Sequence, residues 1–336
     1  MRIAIDATYS VGAALSGVGV YSREILHGLA AAHPEIQWDY FYRSQRYWQA
    51  TGRRRFLSDH WGNRSAQLFH GLNQRLPTRR FPKQIATFHD LFVLSGDYST
   101  TEFRERFAAQ ARHAAQSSDL IVAVSAFTAS QIEAHLNIPR ERIRVIHHGV
   151  IPRSLPDLPR ENMVLCVGVI QRRKNQAALV RAFRSMPPDW TLVLAGAATG
   201  YEAQATLDAI ANSGCADRIR ITGYLSNEEL TGAYARARIF AFPSLDEGFG
   251  IPVIEAMAAG VPVITSNRSA LPEVAGDAAL LIDPDREDDI ANALLRLAAD
   301  AALRDRMAAA GRIHATGFTW ANAVRHTWNT YRELAR

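Results

Sequence analysis

Two glutamates separated by seven residues occupy a segment whose residue types suit hydroxyl and phosphate groups. Glu247 precedes a Gly-Phe-Gly turn, and Glu255 lies one turn inside a helix that the sequence predicts to begin near Pro252. A glycine-rich turn at a helix N-terminus favours anions, because backbone N–H groups and the helix dipole attract negative charge. One carboxylate can accept ribose hydroxyls while the other faces a second sugar, at roughly 1.5–3 kcal/mol per charge-assisted bond. The alternative for Glu255 is an acidic residue that only stabilises the helix dipole.

A basic turn supplies the opposite charge. Arg172, Arg173 and Lys174 follow the predicted strand Met163–Val167. At the carboxyl end of a parallel strand these cations would face the ligand, where they can neutralise a diphosphate and its developing leaving-group charge. Alone, such a turn is more often a solvated loop, but its combination with the glutamate segment favours a phosphate site.

A small-residue segment runs from Gly12 to Gly19 before the predicted helix Val20–Ala32. It superficially resembles a dinucleotide fingerprint, but Ser22 stands where the third glycine belongs, and Asp39 lies inside a strand pattern. The segment therefore indicates a turn that lets a ligand approach the backbone, and it does not predict an NAD site.

Histidines end two further strands. His89 follows the predicted strand Gln84–Phe88 and is itself followed by Asp90, whereas His147 and His148 follow another strand. An ordinary hydrogen-bonding role is the alternative for each. The sequence contains neither HExxH nor a nucleophile elbow, so we expect no zincin or serine-hydrolase chemistry and no metal ligands.

The elements that must position these residues alternate along almost the whole chain. Short β-rich runs such as Arg2–Asp6 and Thr191–Ala195 alternate with amphipathic helical patterns, which is typical of βα units with parallel sheets. Ser226 and Glu229 have the spacing of a capping box. The proline-spaced segment 151–160 predicts a linker, and the resulting two open α/β domains would place a ligand cleft between the carboxyl ends of their sheets.

Composition limits the class of protein. The chain has 336 residues, of which 48% are hydrophobic and 21% charged, so it is long enough for two packed domains and is not disordered. Cys166 and Cys215 lack metal or disulfide spacing, which fits a reducing cytoplasm. The apolar runs fall short of the ~18–20 residues of a spanning helix, so neither a signal peptide nor a membrane span is expected.

The positive charge is concentrated in the first half of the chain. The net charge is +5, and region 43–83 holds ten basic residues against one acidic residue, Asp59, with Tyr47, Trp48 and other aromatics between them. This region is either a solvated surface excursion or a basic-aromatic surface for anionic lipid headgroups or a phosphate-bearing acceptor. No nucleic-acid module accompanies the charge, so no nucleic-acid partner is expected.

Taken together, these motifs resemble glycosyltransferase family 4, whose members are retaining enzymes of the GT-B fold. The resemblance covers almost the whole chain and is most specific in the Glu-x7-Glu motif. It is carried by segments 244–260, 173–175, 17–21, 89–91, 124–127 and 269–274.

The resemblance implies an α/β GT-B fold of two Rossmann-like parallel-sheet domains that face each other across a cleft. An acceptor-binding domain would span residues 1–152, a nucleotide-sugar domain 153–319, and a helix at 320–336 would pack across the hinge and return to the first domain. Many members carry arginine after the glycine that ends the clamp strand. Here Val169 follows Gly168, so the phosphate charge would rest on Arg173 and Lys174.

By the same resemblance, particular residues receive roles. Glu255 would bind the ribose, and Glu247 the donor sugar, with Arg173 and Lys174 as the diphosphate clamp and His89 at the sugar-transfer site. The basic-aromatic character of region 43–83, and not the resemblance, leads us to expect acceptor or membrane contacts at Arg53, Arg54 and Arg55. The other donor-binding residues would be Gly17, Gly19, Gly168, Tyr224, Leu225, Gly248, Phe249, Gly250 and Ile251.

The sequence therefore predicts a metal-independent, cofactor-free hexosyltransferase that moves mannose from GDP-mannose to a glycan or lipid-linked glycan in bacterial polysaccharide biosynthesis. It would work in the cytoplasm or peripherally at the inner membrane face. A UDP-sugar donor, an epimerase or hydrolase on the same fold, and a binding module without catalysis are the alternatives. A glycosidase would need two carboxylates ~5–9.5 Å apart across one bond, and the separate placement of Glu247 and Glu255 suits two sugars better.

Overall fold

The computed structural model describes residues 1–12, 15–50, 55–57, 66–78 and 80–335. The chain forms two compact units. The first comprises Met1–Gly96, Thr101–Gly149 and Thr319–Arg336, and the second comprises Asp97–Thr100 and Val150–Phe318. No helix in the described part of the chain is both long enough and apolar enough to cross a membrane.

Each unit is built on a parallel sheet. In the described part of the first unit the strands lie in the order β3-β2-β1-β4-β5-β6-β7, and in the second β10-β9-β8-β11-β12-β13. The strands of the first unit are β1 (Arg2–Asp6), β2 (Gln37–Tyr42), β3 (Arg55–Leu57), β4 (Leu68–Gly71), β5 (Lys83–Phe88), β6 (Leu120–Ala123) and β7 (Ile143–Val145). Those of the second are β8 (Glu161–Val167), β9 (Thr191–Ala195), β10 (Ile219–Ile221), β11 (Ala237–Phe242), β12 (Val263–Ser266) and β13 (Ala279–Ile282). These parallel sheets confirm the predicted fold class.

Helices connect most of the successive parallel strands, whereas β4 and β5 are joined without a helix in the described residues. The first unit contains α1 (Gly17–Ala32), α2 (Ser44–Tyr47), α3 (Phe92–Ser95), α4 (Thr101–Ser117) and α5 (Ala126–Leu136). The second contains α6 (Gln176–Phe183), α7 (Gln204–Ala211), α8 (Asn227–Arg236), α9 (Ile251–Ala258), α10 (Leu271–Ala275), α11 (Glu287–Ala299) and α12 (Ala301–Ala315). The last helix, α13 (Trp320–Leu334), belongs to the first unit.

Local capping explains where the site-bearing helices begin. The predicted capping box of α8 is confirmed, since Ser226 Oγ accepts from the N–H of Glu229 and the Glu229 carboxylate accepts from the N–H of Ser226. The predicted start of α1 at Val20 is wrong. Ser16 accepts a hydrogen bond from the N–H of Gly19 and thereby begins the helix at Gly17.

Part of region 43–83 is core and not surface. β4 lies between β1 and β5, and all four of its residues are buried. The interpretation of the whole region as a surface excursion was wrong for this segment. The short apolar run Leu68-Phe69 lies in a sequence rich in arginine, which hid it as a core strand. Phe69 packs instead against Phe41 and Phe81, with ring centroids 5.6 and 5.0 Å away.

Helix α13 packs closely on α1. A Cβ atom at Gly28 would lie 2.4 Å from Cγ2 of Val324, so only glycine allows this approach. The Trp328 ring stacks on His33 with centroids 3.7 Å apart, and Tyr331 is fully buried in the same core as Ile3 and Ile25. The end of the chain therefore completes the core of the first unit.

Candidate active site

The basic turn and the glutamate loop of the second unit are joined by backbone and side-chain bonds. Residues Arg172–Lys174 form a 3-10 turn after β8. The N–H of Leu245 donates to the carbonyl of Arg173 at 2.8 Å, and the Arg173 guanidinium donates in return to the carbonyl of Asp246. The two segments, which are far apart in sequence, therefore form one rigid wall of the site.

Glu247 is held by both predicted clamp residues. Its Oε2 lies 2.9 Å from a guanidinium nitrogen of Arg173, and its Oε1 accepts a hydrogen bond from Nζ of Lys174. All three side chains are at most 12% exposed. Arg172 does not join them; it is half exposed and lies 3.4 Å from Glu202.

The charges of this cluster support one another. Burial alone would raise the pKa of Glu247, but Arg173 and Lys174 outweigh that effect and lower it to about 2. Burial lowers the pKa of Lys174, and the attraction of Glu247 opposes that change. Glu247 is therefore ionised and can only accept hydrogen bonds, and the three charges sum to one positive charge.

The lysine is fixed along its length. Nζ of Lys174 lies 4.5 Å from the centroid of the Phe242 ring, a cation–π distance. Gly168 has φ of +140°, which favours glycine, and a Cβ built there would lie 3.6 Å from Cε of Lys174. The lysine stem therefore packs beside the turn that ends β8.

The glutamate loop is supported from a second turn. Ser269 Oγ accepts from the N–H of Glu247 at 3.0 Å, and the N–H of Ala270 donates to the carbonyl of Glu247 at 3.2 Å. Gly250 begins α9 with φ of +104°, and a Cβ there would lie 2.7 Å from Cδ2 of Leu271. Ser269 lies in segment 269–274, which carries the family resemblance, but its contact with Glu247 was not predicted.

Glu255 has a different set of partners. Its Oε1 lies 2.7 Å from a terminal nitrogen of Arg153, and its Oε2 accepts from the hydroxyl of Tyr234 at 3.1 Å. Glu255 and Glu247 are therefore held by different side chains. Sequence reasoning missed both Arg153 and Tyr234.

The remaining predicted donor residues of this unit lie in two segments, 248–251 and 224–225. Gly248 and Phe249 are buried, with Phe249 edge-on to Phe318 at 5.8 Å. Ile251 is half-buried at the start of α9. Tyr224 is 64% exposed after Gly223, whose φ is +71°, and Leu225 beside it is half-buried.

In the first unit, His89 is buried with a defined proton position. Its Nε2 lies 2.8 Å from the carbonyl of Leu72, which can only accept, so Nε2 carries the proton. Burial lowers the pKa of His89 to about 4. The hydrogen bond to Leu72 acts in the opposite direction but is the smaller effect. The imidazole is therefore neutral at physiological pH, and Nδ1 is an acceptor.

A buried hydrogen-bonded chain supports the surroundings of His89. The Tyr331 hydroxyl lies 2.6 Å from His70 Nδ1, His70 Nε2 lies 2.9 Å from Thr87 Oγ1, and Thr87 Oγ1 lies 3.0 Å from the Tyr21 hydroxyl. The Tyr21 ring is edge-on to His89 at 4.7 Å. The His148 ring stacks on His89 at 5.4 Å. None of this network was predicted.

The other predicted residues of the first unit lie in the first turn of α1 and at the sheet edge. Gly17 is exposed, whereas Gly19 packs so tightly that a Cβ would lie 2.9 Å from the carbonyl of Tyr9. Arg55 lies in β3, with a guanidinium nitrogen 2.6 Å from the carbonyl of Ala50. Arg53 and Arg54 lie outside the described residues.

Two Rossmann-like units, with a buried Arg-Lys pair and two separately held glutamates in the second, define a glycosyltransferase of the GT-B fold. A model for glycosyl transferases group 1 matches residues 151–314, and a model for glycosyltransferase family 4 matches residues 34–153. The chain belongs to glycosyltransferase family 4.

Known relatives agree with this assignment. The chain is 34% identical to O-antigen chain mannosyltransferase B of Escherichia coli over 285 residues, which cover 80% of this chain and 74% of the relative. It is 28% identical to the serotype-specific mannosyltransferase WbdA of Escherichia coli, covering 74% of this chain and 33% of that longer protein. Sucrose-phosphate synthase (tll1590) from Thermosynechococcus elongatus has a TM-score of 0.78 at 22% identity, with 99% of both chains covered.

The buried histidines predict an acid-sensitive first unit. Burial lowers the pKa of His70 to about 3, and burial also lowers that of His148. The unfolded chain binds protons below its ordinary histidine pKa of about 6.5, while the folded unit stays neutral to about pH 4. The free energy of unfolding should therefore fall as the pH drops through this window, by up to about 1.4 kcal/mol per pH unit for each histidine.

Denaturant midpoints measured across this pH window test the prediction. His70→Gln, which cannot titrate, should reduce the pH dependence, and the matched control His113→Gln, an exposed histidine on α4, should not. An NMR titration in which His70 and His89 protonate near the ordinary value would contradict the assignment.

Proposed function

We propose that this protein is a retaining glycosyltransferase that transfers mannose from GDP-mannose to a glycan or lipid-linked glycan acceptor in bacterial polysaccharide biosynthesis. The observation that carries the proposal is the pair of glutamates with separate partners beside a buried cationic pair. The mannosyltransferase names of two relatives support the choice of sugar.

The donor would lie along these residues. Glu255 would accept hydrogen bonds from the ribose, and Arg173 with Lys174 would bind the diphosphate. Glu247 would accept hydroxyl hydrogen bonds from the sugar, because its low pKa keeps it ionised. The net positive charge of the Glu247 cluster attracts the negative diphosphate even while the glutamate remains paired.

The chemistry follows from these charges. In a front-face reaction, the bond from the anomeric carbon to the diphosphate oxygen breaks, and the acceptor oxygen bonds to the same face of that carbon. The acceptor proton passes to the leaving diphosphate oxygen. Arg173 and Lys174 stabilise the charge that develops there, and Glu247, which holds no proton, cannot serve as the acid.

The proposed reaction needs no metal ion, because the clamp supplies the cationic charge. The chain does contain one Asp-x-Asp sequence, Asp283 to Asp285. Both of its carboxylates pair with Arg268, at 2.8 and 2.6 Å. Because both carboxylates form ion pairs with this arginine, the sequence Asp283 to Asp285 does not indicate a metal site.

A donor assay tests the proposal directly. GDP-mannose should be consumed only with a glycan acceptor, and NMR of the product should show an α-linked mannose, the configuration of the donor. Turnover should persist in excess EDTA. Release of free mannose without acceptor would indicate a hydrolase. Preference for a UDP-sugar would show that GDP-mannose is not the donor. If EDTA abolished turnover and a divalent ion restored it, the metal-independent mechanism would be contradicted.

Lys174→Ala should reduce turnover by about 10²–10³-fold, as expected when one electrostatic donor to the transition state is removed. Arg172→Ala is the matched control, because this neighbouring arginine contacts Glu202 instead of Glu247. Steady-state kinetics on variants with a native far-UV spectrum make the comparison. Unchanged kcat for Lys174→Ala would refute the clamp.

We further propose that the first unit contacts an anionic membrane peripherally. Trp48 is 82% exposed directly after α2, and its ring is edge-on to Tyr47, over which the Arg55 guanidinium lies at 4.9 Å. An exposed tryptophan beside cations suits the headgroup region, where each basic residue contributes about 1 kcal/mol. A lipid-linked acceptor would be presented there.

Flotation with vesicles tests this contact. The protein should float with phosphatidylcholine vesicles that contain phosphatidylglycerol and detach at high salt, because the attraction is screened within about a Debye length. Trp48→Ser together with Arg53, Arg54 and Arg55→Gln should abolish flotation, whereas Ile313→Ser, at another exposed apolar residue, should not. A native protein that ignores these vesicles at low salt would point to an acceptor in solution.

A further inference from the structure

Both carboxylate oxygens of Glu255 are already held by side chains of the second unit. Arg153 approaches Oε1 at 2.7 Å, and the hydroxyl of Tyr234 approaches Oε2 at 3.1 Å. Burial raises the pKa of Tyr234 well above its ordinary value, so this phenol stays protonated and donates. The orientation of the glutamate is therefore set before any ligand arrives.

Arg153 is itself held in place from α8. A second terminal nitrogen of the guanidinium donates to Thr231 Oγ1 at 3.2 Å, and the Thr231 hydroxyl donates its own proton to the carbonyl of Asn227 at 2.6 Å. The guanidinium carbon lies 5.8 Å from the Tyr234 ring centroid. Arg153 thus uses the planar fork of arginine to connect α8 with the carboxylate on α9, which a lysine cannot reproduce.

This arrangement leaves capacity for a diol. An ionised carboxylate offers about four lone-pair directions, and the contacts with Arg153 and Tyr234 use two of them. Two directions remain, which is what a pair of adjacent ribose hydroxyls requires. Without Arg153 the carboxylate would keep only the Tyr234 bond and could rotate, so part of the ribose binding energy would be spent on ordering it.

We propose that Arg153, from the proline-rich segment that precedes β8, is a positioning residue for ribose recognition. It orients Glu255 so that this carboxylate accepts both hydroxyls of the nucleotide ribose. The inference rests on the proposed role of Glu255 and is independent of the identity of the base.

Calorimetry with two nucleotides isolates this role. The native protein should bind GDP more tightly than 2′,3′-dideoxy-GDP, by roughly 10²- to 10⁴-fold, since two hydroxyl bonds to a carboxylate are lost. Arg153→Gln should weaken the binding of GDP but leave the affinity for dideoxy-GDP nearly unchanged. The ratio of the two affinities should therefore fall towards one. Arg153→Lys should restore only part of the ratio. Arg236→Gln, which removes another arginine–glutamate pair of this unit at 3.6 Å, is the matched control and should keep the native ratio.

The outcomes separate the two claims. Equal affinity of the native protein for both nucleotides, repeated with the uridine pair, would overturn the ribose role of Glu255 and with it that part of the proposed function. A folded Arg153→Gln variant could keep the native ratio of the two affinities, or it could lose affinity for GDP and dideoxy-GDP equally. Either result would overturn the role of Arg153 alone. A larger ratio in Arg153→Gln would show that the arginine competes with the ribose, which also contradicts the proposal.

Discussion

The buried cluster of Glu247, Arg173 and Lys174 is the interaction on which the candidate site of the second unit depends. Removing three charges from water costs several kcal/mol each, and only close pairing with good geometry offsets that cost. The turn after β8, the loop before α9 and the turn at Ser269 are bonded to one another through their backbones, which provides that geometry. A diphosphate bound there would meet cations whose positions are already fixed.

The first unit handles its buried ionisable groups in the opposite way. Burial lowers the pKa of His70, His89 and His148, so these side chains are neutral at physiological pH. They are connected by hydroxyl bonds and ring contacts that carry no net charge. The second unit therefore carries its buried charges as a paired cluster, whereas the first unit keeps its buried histidines neutral in a hydrogen-bonded network.

Sequence reasoning succeeded where the determinants are local. The helix-capping pair Ser226 and Glu229 was predictable because the two residues are three positions apart in the sequence. The parallel-sheet fold was predictable because each βα unit has its own periodic pattern. It failed for β4, whose four residues are too few to show a period within an arginine-rich part of the sequence. Arg153 and Glu255 are 102 residues apart, and no local pattern indicates that the topology joins them.

The contact between His70 and Tyr331 spans 261 residues of sequence. Because Tyr331 is fully buried in the core around β1 and α1, that core lacks one of its large side chains until the last helix has been synthesised. The second unit, by contrast, is formed from a nearly continuous stretch of chain. On the ribosome the second unit can therefore complete its core before α13 supplies Tyr331 to the core of the first unit.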